Sequence, residues 1–300
     1  MINPRSGFSI PIRTICKAIM RYWEDTNKDV TYQFCNSVED GIEKAGRAVS
    51  EGVDIILAAG GDGTVNSIAR ALINTEVALG VIPTGSGNGF ARHFDIPLNI
   101  EQAVKVLSEA DTRKIDVAML NNRVPFVVTC SMAWDASIAS AFEKSAFRGI
   151  IPYIFAGLNE FFVYQPQDMT VEIDSREKHV FHSPMVFTIA NLTQYGAGVR
   201  IAPLAREDDG LLELVVVQRK DIPRVLPALP FIFQRIPRAL PGITTISFKH
   251  LKVIRKHPTP IQIDGEPYQA GLNVEITVKR SALTVLVPRA TKKEKKDSKL

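Results

Sequence analysis

The apolar run Val53-Asp54-Ile55-Ile56-Leu57-Ala58 leads directly into Ala59-Gly60-Gly61-Asp62-Gly63-Thr64-Val65-Asn66. The run is short, lacks helical spacing and reads as a buried strand. After it, Ile68, Ala71 and Leu72 form the apolar stripe of a helix, with Thr64 as its expected N-cap. Glycines let a backbone come close to a ligand, and N–H groups at a helix start attract anions. A carboxylate in the same place repels them. The conflict is resolved if Asp62 faces a metal ion, or a hydroxyl that must lose a proton. Either answer points to phosphoryl transfer rather than to phosphate binding alone.

The same order recurs. Leu79-Gly80-Val81-Ile82-Pro83 reads as a second strand and runs into the small-residue turn Thr84-Gly85-Ser86-Gly87-Asn88-Gly89, with a helix expected over 101–110. Upstream, Met1-Ile2 reads as the end of a strand, shorter than usual, followed by the turn Asn3-Pro4-Arg5-Ser6-Gly7. Ser37-Val38-Glu39-Asp40 reads as a capping box before a helix with Ile42, Ala45 and Val49 on one face. This alternation predicts an open, mostly parallel sheet with ligands at the carboxyl ends of its strands. After about Asp116 the texture changes to short β-rich runs at 126–130, 169–173, 186–190, 212–217, 245–254, 274–278 and 283–287. They predict a β-sandwich, interrupted at 133–164 by an aromatic-rich, helical insert. The expected organisation is α/β plus β: a Rossmann-like three-layer domain at 1–117, a β-rich domain at 118–289, and a basic, disordered tail at 290–300.

Bulk properties exclude several classes. With 300 residues, 45% of them hydrophobic and 23% charged, the chain has the composition of a soluble globular protein. Its net charge of +4 is mild and partly local, since residues 291–300 carry five lysines against two acids. That tail suits a solvated segment or weak attraction to an anionic membrane. Basic patches interleaved with aromatics are absent, so nucleic acid is not expected as a partner. Cys16, Cys35 and Cys130 lack metal-type spacing and suit reduced thiols in a cytoplasmic protein. The opening residues show no signal-peptide pattern, and no apolar run reaches the length of a membrane span. The final Ser298-Lys299-Leu300 matches a peroxisomal address only weakly.

Neither glycine turn is a Walker A loop, and Gly60-Gly61-Asp62-Gly63-Thr64 lacks the dinucleotide spacing. The ordered set is more specific than any member. Asn3-Pro4-Arg5-Ser6-Gly7, Gly60-Gly61-Asp62-Gly63-Thr64 and Pro83-Thr84-Gly85-Ser86-Gly87-Asn88, followed by Asp208-Asp209-Gly210-Leu211-Leu212-Glu213 and Ile263-Asp264-Gly265-Glu266, resemble the diacylglycerol kinase catalytic family. The resemblance spans nearly the whole chain and includes bacterial diacylglycerol kinases and the sphingosine-kinase-like branch. The first glycine motif alone is shared with NAD kinases and phosphofructokinases.

The resemblance implies a lipid kinase with an NAD kinase/phosphofructokinase-like first domain and ATP and Mg2+ as cofactors. It implies ATP in the cleft between that domain and the β-rich one, and a cytoplasmic protein bound peripherally to a membrane that holds its lipid substrate. A homodimer is a possible assembly. Carried over, Asn3, Ser6 and Gly7 form a phosphate-side loop. Gly60, Gly61, Asp62, Gly63, Thr64, Val65, Asn66, Ser67, Thr84, Gly85, Ser86 and Asn88 line the nucleotide site. Asp209, with backbone oxygens near Arg206 and Leu211, holds magnesium. Glu266 is the first choice for the general base, with Asp264 beside it and Asp62 as the second choice. Asp209-Gly210 and Asp264-Gly265 also read as plain hairpin turns.

One departure is visible. Many bacterial diacylglycerol kinases carry an aspartate after the asparagine of the second turn, whereas here Gly89 follows Asn88. This leaves diacylglycerol itself open as the substrate. The segments 147–164 and 222–243, with Arg148, Arg219, Arg224, Arg235 and Arg238 in or beside them, read equally as a membrane-touching mouth or as an ordinary core with a solvated rim. Two rival readings stand: an NAD kinase-like or other soluble-alcohol kinase, and a catalytically silent regulator that binds lipid or nucleotide.

Overall fold

The computed structural model describes residues 1–4, 12–23, 29–137, 163–227, 231 and 240–289. Ser6, Gly7, most of the expected insert, Arg148, Arg235, Arg238 and the tail from 290 lie outside the described residues. The chain runs through α1 (Ile12–Tyr22), α2 (Val38–Ser50), β1 (Ile55–Gly60), α3 (Asp62–Leu72), β2 (Ala78–Pro83), α4 (Gly89–His93), α5 (Ile100–Ser108) and β3 (Asp111–Leu120). Strands follow: β4 (Val124–Phe126), β5 (Thr129–Ser131), β6 (Met169–Ile173), β7 (Glu177–Phe181), β8 (Pro184–Ala190), β9 (Gln194–Gly196), β10 (Val199–Arg200) and β11 (Leu212–Gln218). A short α6 (Ile222–Val225) precedes β12 (Thr244–Phe248), β13 (His250–Arg255), β14 (Pro260–Ile263), β15 (Glu266–Gln269) and β16 (Asn273–Val287). Two compact units interleave along the chain. The first holds Met1–Gly85, Ala91–Lys114 and 283–289, and the second Ser86–Phe90 and Ile115–Ala282.

The first unit is the expected α/β domain. β1 and β2 pair in parallel from Ile55↔Ala78 to Gly60↔Pro83, and Leu79 pairs in parallel with Val285 of β16. The short opening strand is present as a bridge: Ile2 pairs in parallel with Ala59 on one side and Phe34 on the other. α1 packs with α5, where the Trp23 indole N–H donates to the Val104 carbonyl at 3.3 Å. α2 packs with α3, its buried face being Gly41, Ala45 and Ala48, with Ile42 and Val49 only half-buried. The Ser37 cap forms as expected, its Oγ accepting from the Asp40 N–H at 3.1 Å, but the Asp40 carboxylate reaches back to the Asn36 N–H instead of closing the box on Ser37.

Thr64 is not the cap of α3. The helix begins at Asp62, Gly61 is its N-cap, and no side chain bonds there. The reason is crowding at the strand end. A Cβ on Gly60 would land on Thr64, with Oγ1 at 2.5 Å and Cγ2 at 2.6 Å. The Thr64 side chain therefore fills the space beside the Gly60 backbone, one turn into the helix. Gly60→Ala should cost about 1–3 kcal/mol, the usual penalty for overpacking. Denaturant unfolding checks this, and adding Thr64→Gly should recover part of the loss because the two residues share one space.

The second unit is the β-sandwich. One sheet has the order β12-β11-β8-β5-β14-β15, and the other joins β16, β13, β6 and β7. Side chains alternate across strands, so one residue in two faces the core. Cys130, Phe187, Ile189, Leu214 and Ile263 meet Val171, Leu251, Val253, Val274 and Ile276 there. Two runs resolve differently from their sequence pattern. Residues 245–254 are not one strand: β12 pairs with β11 and β13 with β6, so the chain changes sheets at Lys249. Conversely, 274–278 and 283–287 belong to the single strand β16, with Ser281 at φ 47° in its middle. Periodicity could not register either event, because a sheet change and a kink are both set by partners distant in sequence.

Candidate functional site

In the first unit Asn3, Thr64 and Thr84 come together around Gly60 at the carboxyl end of β1. Asn3 is held twice: its N–H donates to the Ala59 carbonyl at 3.1 Å and its Nδ2 to Thr64 Oγ1 at 2.9 Å. The Thr84 N–H donates to the Gly60 carbonyl at 3.0 Å, which ties the start of the second turn to the first. The first-turn N–H groups of α3 have no intrahelical carbonyl to bond. Beside them, Thr84 Oγ1 is buried without a hydrogen-bond partner. Not every expected residue offers its side chain. Val65 and Ser67 are buried, and Ser67 faces α2, 3.1 Å from where a Cβ of Gly41 would stand. Asn66 Oδ1 accepts from Arg70 Nε at 2.7 Å.

In the second unit Asp264 and Glu266 separate into different environments. Ile263 and Glu266 pair across a two-residue turn in which Asp264 has φ 46° and Gly265 φ 92°, the geometry of a tight hairpin. The Asp264 side chain is buried and accepts from the Val127, Val128 and Thr129 N–H groups, each at 2.8 Å. Glu266, two residues on, is exposed.

The loop before β11 is organised by a residue outside the expected set. Asp116 is fully buried and its carboxylate accepts from the Gly210 N–H at 2.6 Å and the Ser281 N–H at 2.7 Å. Within the loop, Asp209 Oδ1 accepts from the Leu211 N–H at 3.0 Å, and the Arg206 side chain pairs with Asp208 at 3.5 Å. Burial, aided by the nearby Asp209 charge, raises the Glu213 carboxyl, against a hydrogen bond from Ser247. Among the described residues no group of three or more His, Cys, Asp or Glu could enclose a metal ion. One carboxylate with backbone oxygens fits magnesium, which keeps most of its water and takes one or two protein carboxylates.

A buried polar cluster lies on the outer face of the six-stranded sheet. Gln262, Ser131 and Thr188 are opposite one another in adjacent strands, and all three are buried. Polar groups in such a place require partners. Asp135 supplies one: its carboxylate accepts a short hydrogen bond from Thr188, and bonds from the Ala133 N–H at 3.0 Å and the Ala136 N–H at 3.1 Å. Ser131 Oγ lies 3.1 Å from Thr188 Oγ1 and donates to the Tyr195 hydroxyl at 3.3 Å, which donates to the Asp135 carbonyl at 3.3 Å.

Burial pushes the Asp135 carboxyl up from 3.8 to about 6, with the hydrogen bonds opposing it. The folded state thus holds this proton more tightly than the unfolded chain. Stability from this group falls as pH rises from about 4 to about 6, by about 3 kcal/mol in total. Asn at this position keeps the acceptor for both N–H groups and stays neutral. The stability difference between wild type and Asp135→Asn should therefore shift in the variant's favour across that window and stay flat above it. Denaturant unfolding of both proteins at several pH values checks this.

The comparisons with known proteins agree with the two-part fold. Residues 1–120 match the model of the diacylglycerol kinase catalytic domain, and residues 128–287 match the YegS C-terminal NAD kinase beta sandwich-like domain. The chain belongs to the diacylglycerol kinase catalytic family. It is 31% identical to the probable lipid kinase YegS-like of Chromohalobacter salexigens, over 76% of this chain and 74% of that one. It is 30% identical to the probable lipid kinase YegS of Escherichia coli, over 96% and 95% of the two chains. It is 27% identical to a diacylglycerol kinase of Mycobacterium tuberculosis, over 96% and 94%. In fold it matches the crystal structure of a diacylglycerol kinase from Bacillus anthracis, with a TM-score of 0.71 and 19% identity over 96% and 95% of the two chains. An NAD kinase from Archaeoglobus fulgidus in complex with ATP matches more distantly, with a TM-score of 0.50 and 13% identity over 91% and 90%.

In this lipid kinase-family chain the sequence motifs missed Asp116, Asp135 and Thr188, whose buried hydrogen bonds tie segments of the second unit together. Asp116 had a readable signal, a lone acid between Ile115 and Val117 in an apolar run. Asp135 and Thr188 had none, since their meeting depends on which strands become neighbours. The family's departure at Gly89 also has a local setting. A Cβ there would stand 3.2 Å from Val128 Cγ1 and 3.4 Å from the Gln194 carbonyl oxygen, so a side chain at this position needs its neighbours to give way.

Proposed function

We propose that the protein transfers the γ-phosphate of ATP to a hydroxyl of a membrane lipid. The observation that carries this reading is the end of β1. There Asn3, Thr64 and Thr84 surround the start of α3, and Thr84 Oγ1 is buried without a partner. A helix start with an unsatisfied hydroxyl beside it suits phosphate oxygens. Phosphoryl transfer asks for alignment and charge neutralisation more than for covalent chemistry.

In this reading the backbone of 60–64 and the second turn hold the nucleotide. Glu266 accepts the proton of the lipid hydroxyl, with Asp62 the second choice. Asp264 acts at one remove, by fixing the hairpin that carries Glu266. Asp209 and the carbonyls near Arg206 and Leu211 hold magnesium, which supplies neutralising charge to the phosphate oxygens when bound. No described helix is long and apolar enough to cross a membrane; in this reading the lipid is met from the surface.

The test is transfer of labelled phosphate from ATP to diacylglycerol, phosphatidylglycerol, sphingosine and ceramide in mixed micelles, with NAD and glycerol as soluble acceptors and Glu266→Gln as the blank. A labelled lipid absent from the blank supports the reading. Label on a soluble acceptor alone would replace it with the soluble-alcohol kinase.

A further inference from the structure

The second glycine turn is gripped by a segment that none of the motifs includes. β9 and β10 form a small hairpin, with Val199 opposite Gly196 and Arg200 opposite Gln194. Gly196, Ala197 and Gly198 follow one another at φ 130°, 51° and 89°. Three consecutive residues in the left-handed half of backbone space are unusual. Ala197, which has a Cβ, sits there at a cost. Such a conformation persists only where surrounding contacts impose it.

The contacts are specific. The Ala197 N–H donates to the Gly87 carbonyl at 2.9 Å. A Cβ on Gly196 would stand 3.4 Å from Gly87 Cα, and one on Gly89 would stand 3.6 Å from the Gly196 nitrogen. The hairpin and the turn are thus joined by a backbone hydrogen bond, with little room for a side chain between them. At its other side the hairpin is moored by Tyr195, whose hydroxyl bridges Ser131 and the Asp135 carbonyl. A continuous line of bonded groups runs from the buried polar cluster, through Tyr195 and Ala197, to Gly87.

We infer that Tyr195, Gly196 and Ala197 are positioning residues for the second glycine turn, and so set the grip on the donor nucleotide rather than on the lipid. The inference rests on the reading of that turn as part of the nucleotide site. Gly196 is a glycine because φ 130° belongs to glycine, while a Cβ there would only touch Gly87 at ordinary contact distance. Ala197 contributes its N–H, not its methyl.

Steady-state kinetics on two variants, together with direct binding of a fluorescent ATP analogue, test this. Gly196→Ala should raise the KM for ATP and weaken analogue binding at least about tenfold, with the KM for lipid within about twofold of wild type. Tyr195→Phe removes one hydroxyl, spares the backbone and should weaken ATP about threefold, which keeps the test intact if Gly196→Ala does not fold. A merely structural role would lower kcat and the unfolding temperature and leave the KM for ATP unmoved, and that result would overturn the inference. The kinase reading fails separately. A wild type that binds the analogue but labels no lipid removes the lipid, while weaker analogue binding in Gly196→Ala would still support the hairpin's role. A wild type that binds no nucleotide overturns both.

Discussion

Glu266→Gln should bind ATP as the wild type does and lose roughly 10²–10⁴-fold in turnover, the usual contribution of a positioned base. The change is nearly isosteric, at an exposed position at the start of β15 opposite Ile263, so folding should be unaffected. What makes this carboxylate suited to the task is the hairpin beneath it. The two residues between Ile263 and Glu266 are fixed because the turn aspartate is bonded to three backbone N–H groups. The backbone that carries Glu266 is thereby fixed, so only its exposed side chain has to settle when it meets the hydroxyl. Turnover within about twofold of wild type would move the role to Asp62, the second choice, which stands at the first turn of α3. Equilibrium nucleotide binding measured beside the lipid assay separates loss of chemistry from loss of substrate.

Asp264→Ala should destabilise the second unit by roughly 3–5 kcal/mol, because it strands buried groups that the charge now satisfies. Val127, Val128 and Thr129 each donate to the Asp264 carboxylate at 2.8 Å. Asp264→Asn should cost less but not little. One amide oxygen can serve Val128 and Thr129, while the amide nitrogen meets the Val127 N–H donor to donor. Denaturant unfolding should rank the proteins wild type, Asn, Ala. A stable but inactive Asp264→Ala protein would instead make this carboxylate a participant in the chemistry and not a staple. The contrast with Glu266 is the point of the pair: two acids separated by one glycine, one expected to fail in catalysis and the other in folding.

The difference between these acids was not legible in Ile263-Asp264-Gly265-Glu266. The pattern announces a tight turn, and the turn formed. Which carboxylate is buried depends on the segment 127–129 reaching the same place from more than a hundred residues away. Thr64 shows the same limit at short range. Its residue type suits a cap, but the Gly60 backbone offered the tighter fit, and the helix starts three residues earlier than that cap would place it.

The sequence by itself determined the class of each unit, the two glycine turns at strand ends, the Ser37 cap and the family. These follow from local preference and ordered spacing, which neighbours along the chain carry. Only the tertiary structure decided that β12 and β13 part into different sheets, that β16 runs unbroken, and that Asp135 and Asp264 are buried as anchors. Burial and hydrogen-bond partnership are properties of residues brought together across long stretches of chain. No local pattern encodes them, because the partner that makes a buried carboxylate tolerable is chosen by the fold as a whole.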